Sequence, residues 1–206
     1  SAELSVLPVQ QPHPPLWMQS RDPETLEFCA REGINTGYFL VFPHSKAGPI
    51  YSKYIADWER AGWPNKPKIA HSTVVYIDET DQKAMNVARD RAARAYAGFL
   101  PPREEGESFD NLLKRYTARY IESGDLQSIQ TRLNLFNADY IYENDIMFVG
   151  SPDTVVEKIK AASKIGLFNT LMGEFNFADL PEKDLMRSIR LFGEEVIPRL
   201  RDFEPF

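Results

Sequence analysis

Three side chains near the start of the chain could contact a bound ligand. Trp17 and Gln19 lie two positions apart in a short apolar segment, and Ser20 follows directly. Residues two apart in a strand point to the same side, and α/β-barrel enzymes carry their sites at the carboxyl ends of strands. Core packing is the alternative for Trp17. The next residue, Arg21, suits a phosphate contact or a surface ion pair.

A second candidate site follows the next apolar segment. Phe42, Pro43 and His44 would meet a substrate there, and an imidazole with an ordinary pKa of about 6.5 could move a proton near neutral pH. A solvated loop is the commoner setting for such a histidine. His13, among prolines, and His71, early in its strand, are predicted to be structural. No histidine pair has the spacing of a metal site, so no metal is expected.

The sequence lacks the motifs of several other classes of enzyme and binding site. Neither GxGxxG nor GxxxxGK[ST] occurs, and no GxSxG elbow is present. The single cysteine, Cys29, lies on the apolar side of a predicted helix, where packing outweighs reactivity. A net charge of −6 without a basic block disfavours nucleic acid as a partner. The absence of a long apolar run disfavours a membrane, and a cytoplasmic location is expected.

The candidate residues sit between alternating strand and helix signals. Start signals such as Asp22-Pro23 and Ser151-Pro152 precede apolar helix faces, and Gly33 and Gly166 are natural helix ends. Asp78 and Glu79 are predicted to cap the helix that follows and to interact with its dipole. The strands are predicted at Leu16–Ser20, Gly37–Phe42, Ile69–Ile77 and Phe168–Met172. This alternation favours an α/β fold with a parallel sheet in sequential order.

The length of the chain limits the number of strand-helix units. With 206 residues it has room for four units of roughly 30 residues plus an excursion, whereas an eight-stranded barrel needs about 250. We predict one domain over residues 1–206, with an insertion or lid over 99–145 whose Pro101–Glu107 stretch is mobile. A four-stranded parallel sheet has two open edges, which we expect to pair with missing chain or a second copy.

Four segments resemble one family in both order and spacing. They are Pro8–Trp17, Glu79–Ala84, Met147–Val155 and Arg187–Pro198. The last two resemble the end of the bacterial luciferase-like flavin-dependent monooxygenases, and the first two resemble that family's fifth and seventh strand regions. The resemblance covers nearly the whole chain, but only the second half of the family's barrel.

The resemblance implies a (β/α)8 TIM-barrel fold, here represented by four βα units with an insertion after the third strand. It implies an oxidoreductase that uses reduced FMN and oxygen on a small organic substrate. A deazaflavin-dependent hydride-transfer member, or a non-catalytic half-barrel binding module, is the alternative. The resemblance places Trp17, Gln19 and Ser20 near the flavin and the substrate near Phe42 and His44. The missing amino-terminal half is the expected partner, a homo-oligomer is a further expectation, and the isolated chain is expected to be inactive.

Overall fold

The fold is built around one central parallel strand. The computed structural model describes residues 9–39, 42–97, 102–122, 129 and 133–206. Its strands are β1 (Thr36–Phe39), β2 (Ile69–Ile77), β3 (Met147–Gly150) and β4 (Thr170–Glu174). Strand β2 pairs in parallel with the other three: Thr36 is opposite Ile69, Val74 opposite Met147, and Ala70 opposite Thr170. The predicted α/β architecture with a parallel sheet is confirmed.

The predicted strands occur in the predicted order, but some of them are shorter than predicted. The segment Leu16–Ser20 contributes one parallel bridge, between Trp17 and Asn35, rather than a full strand. The second predicted strand, Gly37–Phe42, corresponds to β1, which ends at Phe39. Residues 40 and 41 lie outside the described part of the chain. Strand β3 was not predicted, because its four residues are too few to give a periodic signal.

Helices alternate with these strands and begin and end largely where local signals indicate. Asp22 caps the first helix by accepting from the Thr25 N–H at 2.8 Å, and Gly33 ends it in the left-handed conformation at φ 68°. The helices are α1 (Pro23–Glu32), α2 (His44–Ala61), α3 (Asp81–Ala97), α4 (Phe109–Glu122), α5 (Ala138–Glu143), α6 (Pro152–Gly166), α7 (Glu182–Leu191) and, after a π turn at Phe192–Val196, α8 (Ile197–Leu200).

Two helix predictions need correction. Helix α2 begins at His44 rather than near Ile50, and it contains Pro49. Proline removes only the bond to the carbonyl of Ser45, an exposed residue whose carbonyl can bond water instead. Asp78 is not the cap of α3, because Thr80 accepts from the Lys83 N–H there.

The sheet separates two apolar layers. One layer packs Ile69, Val75 and Ile77 of β2 against α1, α2 and α6. The other packs Val74 and Tyr76 of β2 against α3 and α5. Helices α4 and α5 fall within the predicted insertion at 99–145. Its role as a lid and its mobility remain predictions, and Pro101 lies outside the described residues. Within those residues, no helix is both long and apolar enough to span a bilayer.

Glycine allows α6 to approach the sheet closely. A Cβ built on Gly166 would overlap the hydroxyl of Tyr38 and lie 3.1 Å from Nδ1 of His44. The left-handed position that ends this helix is taken by Leu167, at φ 54°. The sequence predicted that Gly166 ends the helix. In the structure glycine is needed at this position because Tyr38 and His44 occupy the space that a side chain would fill.

We therefore expect Gly166→Ala to destabilise the fold by about 1–3 kcal/mol, the usual cost of overpacking a core. Urea unfolding followed by circular dichroism measures this change. Gly193→Ala is the matched control, because a Cβ there meets nothing within 4 Å. The control should be neutral or slightly stabilising. Equal losses in both variants would contradict the packing argument.

Candidate functional site

The end of the first strand segment is held in place by a buried tyrosine. The hydroxyl of Tyr51, in α2, lies 2.9 Å from the carbonyl oxygens of both Ser20 and Gly37. The Thr36 hydroxyl donates to the carbonyl of Met18 at 2.9 Å. These contacts fix the backbone of the segment beside β1. The predicted ligand-contacting residues therefore have a defined position although their segment is not a regular strand.

The side chains of this segment are open to solvent. Trp17 is 45 % exposed, Gln19 is exposed, and Ser20 is partly buried, with its Oγ accepting from the Asp22 N–H at 3.1 Å. The guanidinium of Arg21 lies over the Phe42 ring, 4.4 Å from its centroid, which is a cation–π contact. Arg21 thereby joins the carboxyl ends of two neighbouring segments.

His44 lies inside the layer between β1 and α2 and not in a solvated loop. Its Nε2 is 3.3 Å from the carbonyl oxygen of Asp145, and its Nδ1 is 3.0 Å from the Tyr38 hydroxyl. A carbonyl only accepts, so the proton of a neutral ring belongs on Nε2, and Nδ1 accepts from Tyr38. His44 is buried and so is His71, whose ring centroid lies 4.8 Å from that of His44.

This burial opposes a positive charge on either imidazole. It lowers the pKa of His44, and it lowers the pKa of His71 to about 3, with a smaller contribution from the neighbouring His44. It also raises the pKa of Tyr38. The three groups are therefore neutral near pH 7. Tyr38 and His44 are hydrogen-bonded to each other, and the His71 ring packs against both.

A charged network stands at the carboxyl end of β2. The buried carboxylate of Asp78 is 2.6 Å from Nη2 of Arg187, which also lies 2.7 Å from Asp184. The Tyr76 hydroxyl is 3.4 Å from both Asp78 and Arg187, and burial raises its pKa to about 12. The Ile77 N–H donates to Ser188 at 2.9 Å. Through these contacts α7 packs against the carboxyl end of the central strand.

Several of the candidate residues thus lie at the carboxyl ends of the strands. Ser20, Arg21, Phe42 and Asp78 all follow the carboxyl ends of parallel segments, as sites on α/β sheets do. A family model described as luciferase-like monooxygenase matches residues 1–168. The chain belongs to the luciferase-like monooxygenase family.

Two reductases are similar to this chain in sequence. A 5,10-methylenetetrahydromethanopterin reductase of Archaeoglobus fulgidus is 28 % identical over 196 residues, which cover 91 % of this chain and 54 % of the reductase. The chain thus spans about half the length of this relative. A reductase of the same name from Methanopyrus kandleri is 29 % identical over 134 residues, covering 65 % of this chain and 36 % of that protein.

Solved structures share the fold at lower identity. The oxygenating constituent of 3,6-diketocamphane monooxygenase from Pseudomonas putida, in complex with FMN, superposes with a TM-score of 0.58 at 18 % identity, over 89 % of this chain and 47 % of that one. An F420-dependent secondary alcohol dehydrogenase in complex with an F420-acetone adduct also has a TM-score of 0.58. It is 19 % identical, over 98 % of this chain and 52 % of the dehydrogenase.

The sequence predicted Trp17, Gln19, Ser20, Phe42 and His44 as site residues, and this stays a prediction. In the structure Ser20 bonds to Asp22, Phe42 lies against Arg21, and His44 bonds to Tyr38. Sequence reasoning made no prediction for one charged contact near these residues. It missed the ion pair between Asp78 and Arg187, whose residues are 109 positions apart. The arginine was noticed only as part of the resembling carboxyl-terminal segment.

Acid should destabilise this family member through its buried histidines. Their folded-state pKa values lie below the unfolded value near 6.5, so the unfolded chain binds protons first and stability falls as pH drops below about 6.5. Between pH 6.5 and 5 we expect a loss of about 2 kcal/mol from His71. His71→Phe should flatten this part of the stability profile in urea titrations, whereas the exposed-site control His13→Gln should not. An unchanged slope in His71→Phe would contradict the assignment.

Removing Arg187 should leave Asp78 as an uncompensated buried charge. We expect Arg187→Met to cost about 3 kcal/mol at neutral pH, measured by chemical unfolding. Arg199→Met is the control, because Arg199 pairs with Asp153 where both side chains are exposed, and such a pair contributes less than about 1 kcal/mol. Adding Asp78→Asn to Arg187→Met should recover part of the loss. Additive losses would show that the two side chains do not interact.

Proposed function

We propose that this chain is the carboxyl-terminal part of a flavin-dependent oxidoreductase of the luciferase-like family. The family match over residues 1–168 carries the proposal. The proposed reaction is oxygenation of a small organic substrate by reduced FMN and oxygen. The FMN-bound monooxygenase component of similar fold supports this class of reaction.

The residues of this chain fit one side of a flavin site. Trp17 offers an exposed aromatic surface, Gln19 an exposed amide, and Ser20 a hydroxyl at the end of the same segment. Arg21 adds a cation that could meet a phosphate. When bound, a flavin supplies the electron transfer, while the protein orients it and excludes water. We propose Trp17, Gln19 and Ser20 as cofactor contacts.

The proposed substrate side lies next to these contacts. Phe42 borders the site directly, since Arg21 of the cofactor segment stacks on its ring. His44 supports the backbone beneath Phe42 through its bonds to Tyr38 and Asp145. A neutral, buried His44 orients this wall, so a change at His44 should alter substrate affinity through position rather than through proton transfer.

A deazaflavin is the second candidate cofactor. The two curated relatives are methylenetetrahydromethanopterin reductases, and a solved structure of the Methanopyrus kandleri enzyme is described as coenzyme F420 dependent. In that case hydride transfer replaces oxygenation. The same side chains would contact the ring, because both cofactors present a planar tricyclic system to Trp17.

The site is completed by a partner in this proposal. The Archaeoglobus reductase is matched over 54 % of its length. We propose that an amino-terminal half supplies the remaining strand ends of an eight-stranded barrel. Four strand ends offer few ordered contacts to offset the cost of binding. The 206-residue chain alone should therefore be inactive and bind either cofactor weakly.

Titration of the chain and of a full-length parent with FMN and with coenzyme F420 tests this proposal. The parent should bind one of them at least about tenfold more tightly than the chain does. Oxygen consumption with reduced FMN, or oxidation of reduced F420, would then assign the reaction. A parent that binds neither cofactor would overturn the proposal, and tight binding by the chain alone would overturn the need for a second half.

Variants of the parent test the contacts. Trp17→Ala should weaken cofactor binding by about tenfold, the equivalent of one lost aromatic contact. Gln82→Ala, on the exposed side of α3, is the control and should leave binding unchanged. Equal affinities in all three proteins would remove Trp17 from the site.

A further inference from the structure

A carboxylate of this chain occupies the start of the helix next to the proposed cofactor contacts. Helix α1 begins at Pro23, shortly after Ser20. Oδ2 of Asp22 accepts hydrogen bonds from the Thr25 N–H and from the Thr25 hydroxyl, both at 2.8 Å. The Asp22 N–H in turn donates to the Ser20 hydroxyl oxygen at 3.1 Å. Asp22 thus links Ser20 to the first turn of α1.

The N–H groups at the start of α1 are already used or missing. In general, the first N–H groups of a helix have no partner within it, and together with the helix dipole they form a common binding site for phosphate. Here Pro23 has no N–H, and Thr25 donates to the Asp22 carboxylate. Leu26 donates to the Asp22 carbonyl at 3.0 Å, and the Glu24 N–H interacts with the Asp22 carboxylate as well. A phosphate would have to displace this side chain.

The charge around this helix start is negative. The hydrogen bonds from Thr25 hold the pKa of Asp22 below its usual value, so this carboxyl group is ionised at neutral pH. Glu24 adds a second carboxylate in the first turn of α1. The neighbouring cation, Arg21, lies over the Phe42 ring, 4.4 Å from its centroid. A phosphate monoester carries a charge of about −1.5 to −2 at pH 7, so it would meet two like charges at this helix start.

A second helix start at the carboxyl ends of the strands is occupied in the same way. Helix α6 follows β3, and Oδ1 of Asp81 accepts from the Ser151 N–H at 2.6 Å. Oδ2 of Asp81 accepts from the Thr154 hydroxyl at 2.9 Å, and Pro152 has no N–H. Helix starts at such strand ends frequently bind phosphate in barrel enzymes. Here too a carboxylate of the chain occupies the place that an anion would take.

We propose that Asp22 makes the cofactor segment recognise the ring of a flavin or deazaflavin and not its phosphate. Asp22 is then a specificity-determining residue, because it removes the advantage that a phosphate would give a cofactor at this helix start. FMN differs from riboflavin only by its phosphate, so the two should bind with similar affinity. This inference rests on the proposed function, since it requires that Trp17, Gln19 and Ser20 contact the cofactor.

Titration of the full-length parent with FMN and with riboflavin tests this inference. In the wild type the two Kd values should agree within about threefold. Asp22→Ser removes the charge but keeps a residue type that caps helices well. It should tighten FMN binding by about tenfold, because one like charge beside the phosphate is gone, and leave riboflavin binding unchanged. For a parent that binds deazaflavin, coenzyme F420 and its phosphate-free deazariboflavin core form the equivalent pair.

Glu32→Gln is the matched control, because it removes a charge from the exposed far end of α1, about 15 Å from Asp22. It should leave the ratio of the two Kd values unchanged. Asp22→Asn, which keeps the shape of the cap, should shift the ratio in the same direction as Asp22→Ser. A wild-type preference for the phosphate-bearing cofactor above about tenfold, or a ratio that neither Asp22 variant changes, overturns this inference while the proposed function stands. A parent that binds none of the four molecules overturns both.

Discussion

A parallel sheet is stable only when apolar layers cover both of its faces, and β2 is where this chain meets that condition most fully. Eight of its nine residues are buried, and it pairs with each of the other described strands. One face of β2 is covered along its length by α1, α2 and α6. On the other face, Val74 and Tyr76 are covered by α3 and α5.

Burial also determines the chemistry near the candidate site. Tyr38, His44 and His71 are kept neutral inside the first apolar layer, so their contribution is position and not charge. A buried charge lies at the carboxyl end of β2, where Asp78 is compensated by Arg187. The neutral layer and the paired ion network both contact the ends of the strands.

Family membership and chain length have different consequences. The match over residues 1–168 assigns the chain to its family. The chain spans about half the length of the Archaeoglobus reductase. Trp17, Phe39 and Met172 are each about half-exposed, and side chains of this size are rarely left uncovered together.

The sequence by itself determined the structural features that depend on a few consecutive residues, such as helix ends and the central strand. Asp22, Pro23 and Gly33 fix the ends of α1, and the β-branched run Ile69–Ile77 specifies the central strand. Only the tertiary structure decided that Asp78 pairs with Arg187, that His44 is buried against Tyr38, and that Met147–Gly150 is a strand. Local signals act through neighbouring backbone groups, so one sequence window contains them. Burial and strand pairing join residues up to about a hundred positions apart, and they exist only when the chain has folded.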